Sequence, residues 1–211
     1  MATLLIAGAT GLVGRSVLAL ALADATITRV VAPTRKPLAA APRLENPIVD
    51  FAALPPDAAW WAVDAVVCTL GTTRRQAGSD EAFRQVDFDY VLAVARAARA
   101  HGATTFALTS SVGAKASSRF LYLRTKGEIE AAVAALGYPS FTTVRPAGLE
   151  GKRDVPRRAE HLSNGLTRAL SLLVPRRYRP VAAERVARTL LAAALGAAPG
   201  AHVVESEAIL P

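Results

Sequence analysis

Tyr122 and Lys126 stand four residues apart in the run Tyr122-Leu-Arg-Thr-Lys126, and on a helix that spacing sets both side chains on one face. An ammonium beside a phenol favours the phenolate and lowers the tyrosine's proton affinity toward working pH. Such a tyrosine can give a proton to a carbonyl oxygen as hydride arrives, or take it back in the reverse direction. The lysine would also hold ribose hydroxyls. Ser110 and Ser111 close an apolar run upstream and can aim a hydroxyl at the same carbonyl; Ser111 is the first choice and Ser110 the alternative. As an isolated pair, tyrosine and lysine at this spacing are common on solvated helices. The pair gains meaning only if the chain also builds a site for a hydride carrier.

Gly8-Ala-Thr10-Gly11-Leu12-Val13-Gly14 is the candidate for that site. It directly follows the apolar run 4–7 and opens an Ala/Leu-rich helical stretch. Glycines at 8, 11 and 14 permit a tight turn and a close backbone approach, and the helix N-terminus offers free N–H groups to a pyrophosphate. The implied ligand is a dinucleotide. In NAD-binding units the second strand usually ends in a carboxylate for the ribose 2′-hydroxyl. Here it ends Ala32-Pro33-Thr34-Arg35-Lys36, and Arg35 and Lys36 offer charge-assisted hydrogen bonds to a 2′-phosphate instead. The expected cofactor is therefore NADP(H). Asp50 could accept from the adenine amino group or simply cap its own turn. Leu70 and Gly71 would pass beneath the adenosine ribose.

The elements that must position these residues alternate. Strands are expected at 4–7, 28–32, 48–49, 63–70, 104–108 and 141–144, and helices at 15–23, 81–100, 120–136 and 182–195. Several strands are apolar on both faces, which points to a parallel sheet covered by helices on each side. The expected fold is α/β: one doubly wound, Rossmann-like domain over residues 1–211 with a small C-terminal excursion. That excursion, about 150–180, is basic and holds Pro156, Pro175 and Pro180.

These residues together resemble the short-chain dehydrogenase/reductase superfamily in its atypical NAD(P)-binding branch, close to the Tat-interacting-protein oxidoreductases. The resemblance runs through the glycine turn, Thr34-Arg35-Lys36, Val49-Asp50-Phe51, Cys68-Thr-Leu-Gly-Thr-Thr-Arg74, Val86-Asp-Phe-Asp-Tyr90, Thr109-Ser-Ser111, Phe120-Leu-Tyr-Leu-Arg-Thr-Lys-Gly-Glu128 and Val144-Arg-Pro-Ala-Gly148. It implies bound NADPH, Tyr122 as proton donor or acceptor, and a segment from Pro146 to Leu149 that passes the nicotinamide end. The sequence departs from the family in two places. Asp87 stands where many related reductases have asparagine, and Thr34 stands where a second arginine would flank Arg35. Two functions follow: an NADPH-dependent reductase of a small carbonyl compound, or a catalytically weak NADP(H)-binding module that signals to a protein partner.

Composition limits the alternatives. The chain has 211 residues, 52% hydrophobic and 20% charged, enough for a sizeable core. One cysteine and three scattered histidines exclude a disulfide framework and lack metal-ligand spacing, so no metal is expected. Cys68, inside an apolar run, reads as a buried inert thiol. Of the net charge of +8, residues 152–179 carry +6. That stretch lacks interleaved aromatics, which argues against nucleic acid and for an anionic substrate or a protein partner. A homodimer through the helices at 81–100 and 120–136 fits the same resemblance. No apolar run is long enough to span a membrane, and Met1 leads into the first strand without a basic leader, so a cytoplasmic protein is expected.

Overall fold

The structure, a computed structural model, describes residues 2–150 and 175–209. The expected alternation is present: β1 (Ala2–Ala7), α1 (Leu12–Ala23), β2 (Ile27–Val31), β3 (Leu44–Glu45) and β4 (Ala65–Cys68) build the first half. Two short helices follow, α2 (Arg74–Ala77) and α3 (Asp80–Arg84), then a π-helical turn over Gln85–Asp89 that runs into α4 (Tyr90–Ala100). The second half comprises β5 (Thr105–Thr109), α5 (Leu121–Ala134), β6 (Ser140–Arg145), β7 (Leu149–Glu150), β8 (Val181–Ala182), α6 (Ala183–Gly196) and β9 (Gly200–Glu205).

Seven strands form one parallel sheet in the order β3-β2-β1-β4-β5-β6-β9, and β7 and β8 pair separately. The order reverses between β1 and β4. Loops leaving the C-terminal ends of those two strands therefore open a crevice, the place where sheets of this kind bind ligands.

Side-chain alternation explains the runs that are apolar on both faces. Leu4 and Ile6 of β1 pack in one layer with Val13, Val17 and Ala21 of α1 and Val186 and Leu190 of α6. Leu5 and Ala7 face the other layer with Val94 of α4 and Ile129 of α5. Strands buried on both faces read as continuous hydrophobic stretches, as observed. Cys68 belongs to the second layer, fully buried, and burial pushes its thiol up to about 12. A thiol raised this far offers almost no reactive thiolate near neutral pH. The folded protein should accordingly leave a thiol-specific chromogenic disulfide unreacted, and release one equivalent on denaturation; prompt native-state labelling would contradict this burial.

Three expectations change. The third strand lies at Leu44–Glu45 rather than 48–49, and Ile48 makes only a single bridge to Thr34. Pro47 explains the break. On β2 the Ala32 N–H reaches Glu45 and the Thr34 N–H reaches Pro47, but the intervening bond, to the Ala32 carbonyl, would need an N–H from residue 47, which proline lacks. The Asn46 side-chain amide donates to the Ala32 carbonyl in its place, at 2.5 Å. The helix expected over 81–100 is interrupted by the π turn at Gln85–Asp89. Finally, β9 was not expected; only Val203 and Val204 give it strand character, and four of its six residues are exposed.

Most of the basic stretch 152–179, which was expected to face a substrate or partner, lies outside the described residues. Within it, Arg176–Tyr178 form one 3-10 turn before β8. Among the described residues, no helix is long and apolar enough to cross a membrane.

Candidate active site

The crevice is built from the β1–α1 turn. Gly8 holds φ +90°, a left-handed conformation that side chains disfavour. Gly14 is required for a different reason: a Cβ there would sit 2.0 Å from the Gly8 carbonyl oxygen. The Thr69 hydroxyl, at the end of β4, donates to the carbonyls of Ala7 and Gly8 and ties the two loops together. Helix α1 starts at Leu12 behind Gly11 as N-cap, with no side-chain cap and no acidic residue in its first turn. Its first N–H groups are left to whatever occupies the crevice, and the macrodipole favours an anion there.

Two lobes open from this turn. The first, about 560 Å³, is lined by Gly8, Thr10, Gly11, Arg35, Phe51 and Tyr90 among others. Phe51 and Tyr90 stand with ring centroids 6.0 Å apart and planes tilted by 33°, an aromatic wall that sequence reasoning missed. Thr34 is buried, its hydroxyl donating to the Lys36 carbonyl and accepting from Asn46. It therefore shapes the turn that presents Arg35, and its one hydroxyl proton is already committed. Lys36 and Asp50 are exposed and line neither lobe. The Asp50 carboxylate accepts the Ala52 N–H at 2.9 Å, so of the two roles open to it the structure shows the cap.

The second lobe, about 530 Å³, shares Gly11 and the whole Thr69–Thr72 loop with the first, so the two form one trough. Leu12, Val13, Leu70 and Gly71 line it near the turn, and Tyr122, Lys126, Asp87 and Ser110 farther along. Tyr122 is 43% exposed, its ring 5.9 Å from that of Phe83. Lys126 is buried and its ammonium lies 2.7 Å from the Asp87 carboxylate. Burial alone would lower its proton affinity; Asp87, with a smaller part from Tyr122, more than offsets this and holds Lys126 above the ordinary lysine value.

Two expected positions shift. Ser110, not Ser111, lines the lobe, although both are buried; the Ser111 hydroxyl turns to the Val112 carbonyl instead. The Ser110 hydroxyl donates to the Glu130 carboxylate one turn beyond Lys126. Arg145 in turn holds Glu130 through two hydrogen bonds and reaches Glu205 of β9 at 2.9 Å. After β6, Ala147, Gly148 and Leu149 line the lobe, whereas Pro146 is buried and its carbonyl accepts the Val112 N–H. The residues present fit a dinucleotide: glycine packing that a methyl would fill, an uncapped helix N-terminus, and a trough continuous from an aromatic slot to a Tyr–Lys pair.

Comparison with known proteins agrees with this geometry. Residues 8–196 match the NAD(P)H-binding family. A relative from Rattus norvegicus, Protein HTATIP2, is 40% identical over 163 residues, covering 75% of this chain and 67% of its own. Another from Emericella nidulans, "Protein fmp52, mitochondrial", is 34% identical over 180 residues, covering 81% and 76%. Among solved structures, MoeE5 in complex with UDP-glucose and NAD superposes with a TM-score of 0.72 at 16% identity, over 95% of this chain and 74% of that one. The expectation of a cytoplasmic protein is overturned. Fungal relatives from Emericella nidulans, Candida albicans and Lodderomyces elongisporus are named as mitochondrial. The residues with which the given sequence opens carry no information about compartment. The chain belongs to the NAD(P)H-binding family, with an oxidoreductase-like Rossmann fold and HTATIP2 among its homologues.

Proposed function

We propose that this protein reduces a small carbonyl compound with NADPH. The observation that carries the reading is the convergence of Tyr122 and Lys126 on a lobe continuous with the glycine turn. When bound, the nicotinamide supplies or accepts the hydride. The protein's own residues do the rest. The α1 N-terminus and the glycine turn take the pyrophosphate, Arg35 the 2′-phosphate, and Phe51 and Tyr90 the adenine. Lys126 holds the nicotinamide ribose. The Tyr122 phenol gives its proton to the carbonyl oxygen, and Ser110 takes the orienting position assigned to Ser111 from sequence.

The test is NADPH consumption across a panel of small aldehydes and ketones, followed at the absorbance of the reduced cofactor. Turnover of at least one class is expected, and none across a broad panel would sink the reductase reading. Cofactor choice is tested separately. Arg35→Ser should weaken NADP(H) binding by about tenfold or more, the loss of one charge-assisted contact, while NAD(H) affinity stays within about twofold. Equal losses for both cofactors would remove Arg35 from the 2′-phosphate.

One observation favours the second reading, an NADP(H)-binding module that signals to a protein partner. The Ser110 hydroxyl is already committed to Glu130, so a carbonyl would have to compete for it. That reading expects tight cofactor binding with no turnover.

A further inference from the structure

Lys126 is an ammonium in an adverse place. It lies inside α5 and is 5% exposed, and burial of this depth disfavours the charged form. Arg15 lines the same lobe from α1. Asp87, 1% exposed, answers the cost of burial: one oxygen lies 2.7 Å from the Lys126 nitrogen, and the other accepts the Thr72 N–H, also at 2.7 Å. The π turn carries Asp87 to this position, and such one-turn insertions commonly re-aim a side chain at a functional site. A single carboxylate thus bridges the π turn, the loop after β4 and the helix of Tyr122. The Thr72 loop it grips forms the junction of the two lobes.

The other groups facing Lys126 cannot do this. Cys68, from β4, is a neutral thiol, its ionisation pushed to about 12 by burial. Tyr122, on the same helix, contributes less than Asp87 and stands 43% exposed, where solvent screens it. Glu130, one turn on, is committed to Arg145 and Ser110.

We infer that Asp87 is a positioning residue that keeps Lys126 protonated and aimed at the lobe junction, so that its grip on a bound nucleotide is independent of pH. The inference rests on the reading that Lys126 contacts the cofactor. Without Asp87, the buried ammonium gives up its proton in the neutral to mildly alkaline range, and the nucleotide loses that contact as pH rises.

The test is the NADP⁺ dissociation constant of the full chain from pH 7 to 9.5, for wild type, Asp87→Asn, Asp87→Glu and Lys126→Met. Wild type and Asp87→Glu should vary by less than about twofold across the range. Asp87→Asn should weaken by about tenfold or more between its ends, approaching Lys126→Met, as expected for a lysine brought into that range by burial. A loss in Asp87→Asn that is the same at every pH would show a merely structural role and overturn the inference. Should Asp87→Asn fail to fold, the double variant Asp87→Asn/Lys126→Met decides. A folded double variant shows that the carboxylate is needed because the lysine is charged, whereas an unfolded one overturns the inference. Wild-type affinity in Lys126→Met would remove Lys126 from the cofactor, and the inference would fall with that reading.

Discussion

Gly14→Ala should destabilise the protein by about 3 kcal/mol or more, because overpacking with no room to relax lies at the severe end of core substitutions. The methyl would meet the Gly8 carbonyl oxygen at 2.0 Å, with the Thr69 hydroxyl at 2.7 Å on the same side. The first is backbone of the turn that joins β1 to α1, and the second, from the end of β4, is held in place by its hydrogen bonds to the Ala7 and Gly8 carbonyls. Gly11→Ala is the informative contrast. Its Cβ would meet only the Gly8 carbonyl oxygen, at 3.3 Å, and Gly11 lines both lobes. Stability should therefore change by less than about 1 kcal/mol, while NADP(H) affinity falls by about tenfold, since the cost arises where the cofactor's backbone-close approach is lost. Thermal melts by circular dichroism paired with cofactor fluorescence titration separate the two. Equal thermal midpoints for the two variants would show that Gly14 is not held by packing.

Tyr122→Phe should lower kcat for the best carbonyl substrate by about 10²- to 10⁴-fold, the range for removing a positioned general acid. Cofactor affinity should change by less than about twofold, because only the hydroxyl is deleted and the ring keeps its contact with Phe83. Half-exposure of the tyrosine makes a folding defect the wrong explanation for any loss, since the phenol oxygen satisfies no buried partner. A variant that turns over at the wild-type rate would take the proton-transfer role away from Tyr122. Loss of cofactor binding along with turnover would instead place the hydroxyl on the nucleotide.

The sequence made the helix and strand succession legible because buried parallel strands are apolar throughout and the surface helices are periodic. What escaped were elements whose signal is weak or nonlocal. The two-residue β3 is half exposed and bounded by Pro47, and β9 gains its place by docking on β6 rather than from its own composition. The π turn could not be read from periodicity, since one inserted residue leaves the apolar positions of 81–100 nearly in step. Around the site, the glycine turn and the Tyr122–Lys126 pair were visible because each is set by local spacing. The roles weighed for Lys36, Asp50 and Ser111 depended on where a turn points its side chains, which spacing does not specify. Phe51 and Tyr90 come from separate loops and helices, and nothing local marks them as one wall. Asp87 was noticed as a departure, but its pairing with Lys126 belongs to tertiary structure.

The parallel sheet has a consequence for how the chain folds. No two neighbouring strands can form a hairpin, since every pairing in it needs a crossover. Leu4 finds Ala65, and Val144 finds Val204, only after the intervening chain has been gathered in. Early structure must therefore come from helices, and ladder formation waits on loop closure, the situation in which folding is slow for topological reasons. Until β9 docks, β6 is an open edge whose Val144 and Phe141 side chains belong to the finished core. The interval before that last strand arrives is when the chain is most exposed to self-association.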